Sequence, residues 1–160
     1  MLAAIVTVST SKSTGGGGRD ESGERLTALA AGLGAEIAGT EIVADDRASI
    51  AARLRHWCDD ARCDLVLTTG GTGVAPSDVT PEATRDVIER EAPGIAEAMR
   101  AASREHTRHW MLSRGVAGIR GRTLIVNFPG SPRSIDQAGA AIVDALPHAL
   151  ELLRGGRGGH

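Results

Sequence analysis

Aromatic residues are scarce in this 160-residue chain: they make up 2% of it, with no Tyr, one Phe and two Trp. The core must therefore be built from Ala, Val, Leu and Ile. Trp57, Trp110 and Phe128 are the whole supply of stacking faces, which argues against a surface that stacks bases. Positive charge is not in excess either. Eighteen Lys and Arg face 20 Asp and Glu, a formal net charge of -2, so there is no basic stripe for nucleic acid. No apolar run approaches the roughly 18 residues of a membrane span. The opening MLAAIVTVSTS is apolar but lacks a basic start and a cleavage site, so it reads as a first strand and not as a signal peptide. Cys58 and Cys63 form a lone C-x4-C pair with no second pair, a poor zinc pattern, and read as two small reduced thiols. These absences describe a cytoplasmic protein with neither nucleic acid nor membrane as partner.

What is present alternates. Leu2–Val8, Glu36–Val43, Asp64–Thr69 and Thr123–Phe128 are short β-branched or apolar runs and read as strands. Between them lie helical patterns. Asp20-Glu21-Ser22 starts one, with Leu26, Leu29, Ala30 and Leu33 on its face and Gly34 at its end. A second runs from Arg47 to about Asp60, with Ile50, Leu54 and Trp57 on one face and Asp46 as a candidate N-cap. A third opens on Thr80-Pro81-Glu82, with Thr80 as N-cap, and runs to about Glu91. Ala92-Pro93-Gly94 breaks the pattern, and Ile95 to about Arg104 resumes it. One long helix then runs to Leu153, with Ser134 and Gln137 placed as a capping box. Residues 106–121 carry no clear pattern. Strands alternating with helices predict an α/β fold, a mostly parallel sheet between two helix layers, occupying 1–154 as a single domain. A flexible tail, 155–160, follows.

In an open α/β sheet, ligands bind beyond the carboxyl ends of the strands. The segments that leave those ends are STSKSTGGGG, ADD, TGGTGVAPSD and PGSPRS. All are small or polar, as loops converging on one polyanionic ligand would be. The Gly15–Gly18 run can be read as a plain surface loop or as a mobile flap over that site. Gly70, Gly71 and Gly73 let the backbone turn tightly and bring N–H groups to phosphate oxygens, with Thr69 and Thr72 adding hydroxyls. No Lys follows these glycines as in a P-loop, and the G-x-G-x-x-G spacing is also missing. There is no G-x-S-x-G elbow. Asp45 and Asp78 stand beside this phosphate-binding pattern, and an acid there is electrostatically odd. Mg²⁺, held by one or two carboxylates together with substrate phosphates, resolves the conflict. Arg114 and Arg133 are candidate phosphate clamps. Arg104, Arg108 and Arg120 read as solvated, and His106 and His109 as surface or packing residues.

The block TTGGTGVAPSDVTPEATRDVIEREAPGIAEAMR, with LSRGVAGI and NFPGSPRSI, resembles the MogA/MoaB family of molybdenum cofactor biosynthesis over nearly the whole chain. The resemblance implies a three-layer αβα molybdopterin-binding fold. It implies adenylylation of molybdopterin by Mg-ATP with release of pyrophosphate, so ATP and molybdopterin are the expected substrates and Mg²⁺ the expected cofactor. The family's two essential aspartates fall on Asp45 and Asp78. Its glycine loop falls on Gly70, Gly71, Thr72 and Gly73, its LSR serine on Ser113, and its PG-x-P turn on Pro129, Gly130 and Ser131. Ser9 and Thr10, in the segment after the first strand, and Thr69 join these as expected substrate- or nucleotide-binding residues. Trimers or hexamers and a MoeA-type molybdenum insertase partner are likewise implied. Two departures stand out: Thr10 where many members carry Asp, and Ala44 where many carry Pro. The alternatives are a non-catalytic molybdopterin-binding paralogue or carrier, and a CinA-like nucleotide-processing enzyme.

Overall fold

The computed structural model describes residues 1–156. Its centre is one six-stranded sheet made of β1 (Leu2–Val8), β2 (Glu36–Val43), β3 (Leu65–Thr69), β4 (Arg90–Glu91), β5 (Ala117–Arg120) and β6 (Thr123–Phe128), in the order β2-β1-β3-β6-β5-β4. The pairs β1·β2, β1·β3 and β3·β6 are parallel, and β5·β6 and β4·β5 are antiparallel. Side chains alternate faces along a strand. Ala3 and Ile5 of β1 therefore join Leu65, Leu67, Leu124, Val126 and Phe128 on one face. Ala4, Val6, Val8, Val66 and Ile125 take the other.

Helices cover both faces. α2 (Glu21–Gly32), α5 (Pro93–Ser103), α6 (Pro132–Ile142) and α7 (Leu146–Leu153) bury Leu26, Met99, Ile135 and Leu146 on the first face. α3 (Arg47–Arg55) and α4 (Thr80–Arg85) bury Ile50, Leu54 and Ala83 on the second. The three-layer αβα expectation holds. Asp20 and Asp46 cap α2 and α3 as the sequence indicates, accepting from Gly23 N (3.1 Å) and Ser49 N (2.8 Å).

Several local expectations give way. The segment after β1 is not all loop: Thr10–Ser13 form a short helical turn, α1, capped by Ser9. α3 ends in a π-helical turn over His56–Asp60. α4 stops at Arg85, because Glu89 N and Ala92 N bond to Ile119 O and Ala117 O and draw 90–91 into the sheet as an edge strand. Thr80 does not cap α4, since its hydroxyl donates to Gly70 O at 2.9 Å. The long C-terminal helix is two helices, because Pro147 has no N–H to continue the ladder. Ser131, not Ser134, caps the first of them. The unpatterned segment 106–121 contains β5 and a 3-10 turn over Trp110–Leu112. At the C terminus, Gly155 N and Gly156 N close α7 onto Leu152 O and Glu151 O. The remainder of the tail, 157–160, lies outside the described residues. Among the described residues, no helix is long and apolar enough to cross a membrane.

Asn127 joins the layers at the upper end of β6. It is buried, its Nδ2 donates to Thr68 Oγ1 and Thr84 Oγ1 at 3.0 Å each, and its Oδ1 accepts from Val116 N at 3.1 Å. Asn127→Ala orphans a buried backbone N–H and removes the donor to two hydroxyls. The expected cost is about 2–4 kcal/mol, a drop of several degrees in Tm by thermal unfolding.

Candidate functional site

The site is built by strand register. Val8 pairs with Val43, Thr7 with Thr69, and Thr69 with Phe128. The residues that follow, Ser9, Ala44, Gly70 and Pro129, leave the sheet along one edge. β1 connects to β2 on one side and β3 lies on the other, with α2 and α3 on opposite faces. The crevice between β1 and β3 is thus a topological switch point, where open α/β sheets take their ligands.

Asp45 sits on this edge beside Thr10. Its Oδ2 accepts from both Thr10 N and Thr10 Oγ1 at 2.9 Å, and its own N–H donates to Thr10 Oγ1 at 3.0 Å. The other oxygen, Oδ1, faces Gly71, where a β-carbon would lie 3.3 Å from it. Gly71 has φ +65°, a left-handed conformation that suits glycine. Asp78 folds back over the same turn. Its Oδ2 accepts from Ala75 N at 3.0 Å, and a β-carbon on Gly73 would come within 2.8 Å of it. The glycine turn therefore has one carboxylate against Gly71 and one against Gly73. Among the described residues, no hydrogen bond reaches Oδ1 of either aspartate, and no group of three or more His, Cys, Asp and Glu is placed to hold a metal by protein atoms alone. Two carboxylates with one free oxygen each fit Mg²⁺, which keeps waters and takes substrate phosphates as its remaining ligands.

The other expected site residues divide by what their hydroxyls already do. Thr69 is buried and donates to Pro129 O at 2.7 Å, tying the glycine turn to the PG turn. Ser9 Oγ and Ser131 Oγ serve as helix caps, and Gly130 O accepts from Ser22 Oγ at 2.7 Å. These residues shape the edge rather than present free side-chain donors. Gly70 and Gly130 pack against each other across it. Thr72 is buried, and its carbonyl accepts from Arg114 N at 2.8 Å.

Ser113 and Pro129 line a cavity of about 160 Å³ next to the edge, walled also by Arg100, Trp110, Asn127 and Ser134. Arg100 holds the wall by donating to Gly115 O at 3.0 Å. Trp110, one of the three aromatics, stands on this cavity wall. Only its neighbour Ser113 signalled that place in the sequence. His109, read as a surface or packing residue, lines it too.

Arg114 is not a phosphate clamp. Its Nε donates to Gly73 O (2.6 Å), Nη2 to Asp78 O (2.7 Å) and Nη1 to Glu82 Oε1 (2.5 Å). Arg120, expected to be solvated, grips Asp59 with Nε and Nη2 and donates to Val87 O. Arg104 lies over the Trp110 ring, 6.0 Å from its centroid. Both thiols are free and buried, and burial pushes them up to about 11, as fits inert core cysteines.

Level strand ends, a glycine turn between two carboxylates and an adjoining polar-walled cavity place the chain among α/β proteins with a ligand site at the carboxyl edge of a parallel sheet. Comparison with known proteins narrows that class. Residues 4–148 match the family described as a probable molybdopterin binding domain, and the chain belongs to that family. It is 47% identical over 115 residues to the molybdopterin adenylyltransferase of Helicobacter pylori strain J99, covering 72% of this chain and 65% of that protein. It is 41% identical over 128 residues to the molybdopterin adenylyltransferase of Escherichia coli K12, covering 72% and 66%. The chain thus matches just under two thirds of the length of these curated relatives. The crystal structure of the molybdopterin biosynthesis enzyme MoaB from Thermus thermophilus superposes with a TM-score of 0.89 at 45% identity, covering 96% of each chain.

The hydrogen bond from Arg114 holds the Glu82 carboxyl below its usual range. A depressed folded value means the pair stabilises the fold above the unfolded pKa, about 4.3, and that this stability is lost as pH falls through the folded value. Denaturant unfolding at a series of pH values checks this. The stability gap between the wild type and Glu82→Gln should be full at neutral pH and should shrink progressively below about pH 4.3.

Proposed function

We propose that this chain is a molybdopterin adenylyltransferase, transferring AMP from Mg-ATP to the terminal phosphate of molybdopterin. The observation that carries the reading is the placement of Asp45 and Asp78 against the two ends of one glycine turn, in a chain that belongs to the molybdopterin-binding family. A terminal phosphate oxygen of molybdopterin attacks the α-phosphorus of ATP. The new P–O bond forms as the bond to the α,β-bridging oxygen breaks, and pyrophosphate leaves. A phosphate is already largely ionised at neutral pH, so no general base is needed. The work left to the protein is positioning and charge neutralisation.

In this reading Asp45 and Asp78 hold Mg²⁺ or its waters through their free oxygens. When bound, the metal neutralises phosphate charge that would otherwise keep the two anions apart. The turn from Gly70 to Gly73 receives nucleotide phosphates on its backbone N–H groups. The cavity beside Ser113 and Pro129 receives the pterin, with the Trp110 ring as a flat wall. Cytoplasmic location, assembly into homotrimers or hexamers, and hand-over of the product to a MoeA-type molybdenum insertase belong to the same proposal. Their support is the family membership.

Two experiments test it. Mg-dependent pyrophosphate release from ATP on adding molybdopterin should fall at least about a hundredfold in Asp78→Asn, several kcal/mol of lost charge stabilisation, while molybdopterin binding persists. Unchanged turnover in that variant would sink the metal role. No release by the wild type, with molybdopterin still bound, would leave a carrier. Separately, Thr10→Val removes the hydroxyl that both donates to and accepts from Asp45. It should raise the Mg²⁺ concentration for half-maximal release severalfold with little change in Tm, and Thr10→Ser should restore it.

A further inference from the structure

Two segments meet at Arg114. One is the turn from Gly70 to Glu82, which carries Asp78. The other, residues 107–115, forms one wall of the cavity through Thr107, Trp110, Ser113 and Gly115. Arg114 belongs to the second segment, but among the described residues its hydrogen bonds go to the first. Its backbone N–H donates to Thr72 O, its guanidinium to Gly73 O and Asp78 O, and its ion pair closes on Glu82. The rigid fork of a guanidinium fixes three acceptors at once. These acceptors bracket Asp78 on both sides, at Gly73 and at Glu82. On the other side of Arg114, Ser113 and Gly115 face the cavity directly.

We infer that Arg114 is a positioning residue that couples the two halves of the site, so that a ligand in the cavity and a nucleotide on the glycine turn each tighten the binding of the other. The inference rests on the adenylyltransferase reading for what the two ligands are. Its physical basis is shared ordering. Whichever ligand binds first immobilises both segments through the fork, and the second meets a site already ordered. Such coupling must be reciprocal. It also puts the Asp78 carboxylate in place when the pterin side is filled, which favours productive over idle nucleotide binding.

The test is calorimetric titration of the full chain with α,β-methylene-ATP and Mg²⁺, with and without saturating molybdopterin, and the reverse titration. The expected result is about a tenfold gain in affinity in both directions. In Arg114→Gln the gain should fall towards onefold, with each single-ligand affinity within about threefold of the wild type. Arg114→Lys, which lacks the fork, should resemble it. Glu82→Gln keeps the carbonyl bonds, so it should retain part of the gain and serves as the readout if Arg114→Gln does not fold. An equal gain in wild type and variants, or a lowered Tm with coupling intact, overturns the inference and leaves Arg114 structural. Nucleotide binding and pyrophosphate release with no coupling in the wild type overturns it alone. Molybdopterin binding with no nucleotide binding overturns the adenylyltransferase reading, and this inference falls with it.

Discussion

Side chains alternate along a strand, but nothing in that rule obliges neighbouring strands to stop together. Here β1, β2, β3 and β6 do, because Val8 and Val43 pair, and Thr69 pairs with both Thr7 and Phe128. The rest of the site depends on that alignment. A one-residue slip of β3 would turn Leu65 and Leu67 out of their core face, and it would carry the glycine turn away from Asp45. Burial on both faces of the sheet makes such a slip expensive. The hydrophobic core therefore fixes the strand ends from which the carboxylate-bearing loops leave. Thr69 adds a local lock, since its hydroxyl fastens the end of β3 to the PG turn.

The parts of the molecule that can be read from sequence are those governed by local rules. β1, β3 and β6 are buried along nearly their whole length and read as short apolar or β-branched runs, β2 at the sheet edge alternates polar and apolar residues, and Asp20 and Asp46 cap helices because their carboxylates sit where helical patterns begin. The parts that escape are those decided by distant partners. Residues 86–91 carry a helical period, but bonds to Ile119 and Ala117, far along the chain, make an edge strand of 90–91. Thr80 has the composition of an N-cap, but the carbonyl of Gly70 takes its hydroxyl. The break before α7 is written in Pro147, but apolar spacing continues across it and hides it.

The candidate site divides in the same way. Asp45, Asp78 and the glycines stand out because acid beside a phosphate-binding pattern needs an explanation. Arg114 also stands out, as a base among small residues, but for the wrong role. A free arginine near phosphates would clamp them. This one has spent its donors on two carbonyls and a carboxylate of its own chain. Sequence shows that a charge is near a site, and only geometry shows whether its hydrogen-bonding capacity is already used. Trp110 makes the complementary point. A lone aromatic carries no pattern, so nothing but its position on the cavity wall distinguishes it from Trp57, which is packed over Gly39.

Thr10 follows from the same electrostatics. An acid at that position would stand within hydrogen-bond reach of Asp45, and two carboxylates so close cannot both ionise freely. One would draw a proton, or a cation would have to sit between them. Threonine instead supplies two donors to Asp45 Oδ2 and accepts the Asp45 N–H. The carboxylate is held in one orientation without added negative charge, and Oδ1 is left toward Gly71. On the proposed Mg²⁺ reading, one oriented carboxylate at this position would leave more of the coordination to the phosphates that arrive with the nucleotide. On that reading the cation would be gathered together with the substrate phosphates rather than held by the protein alone.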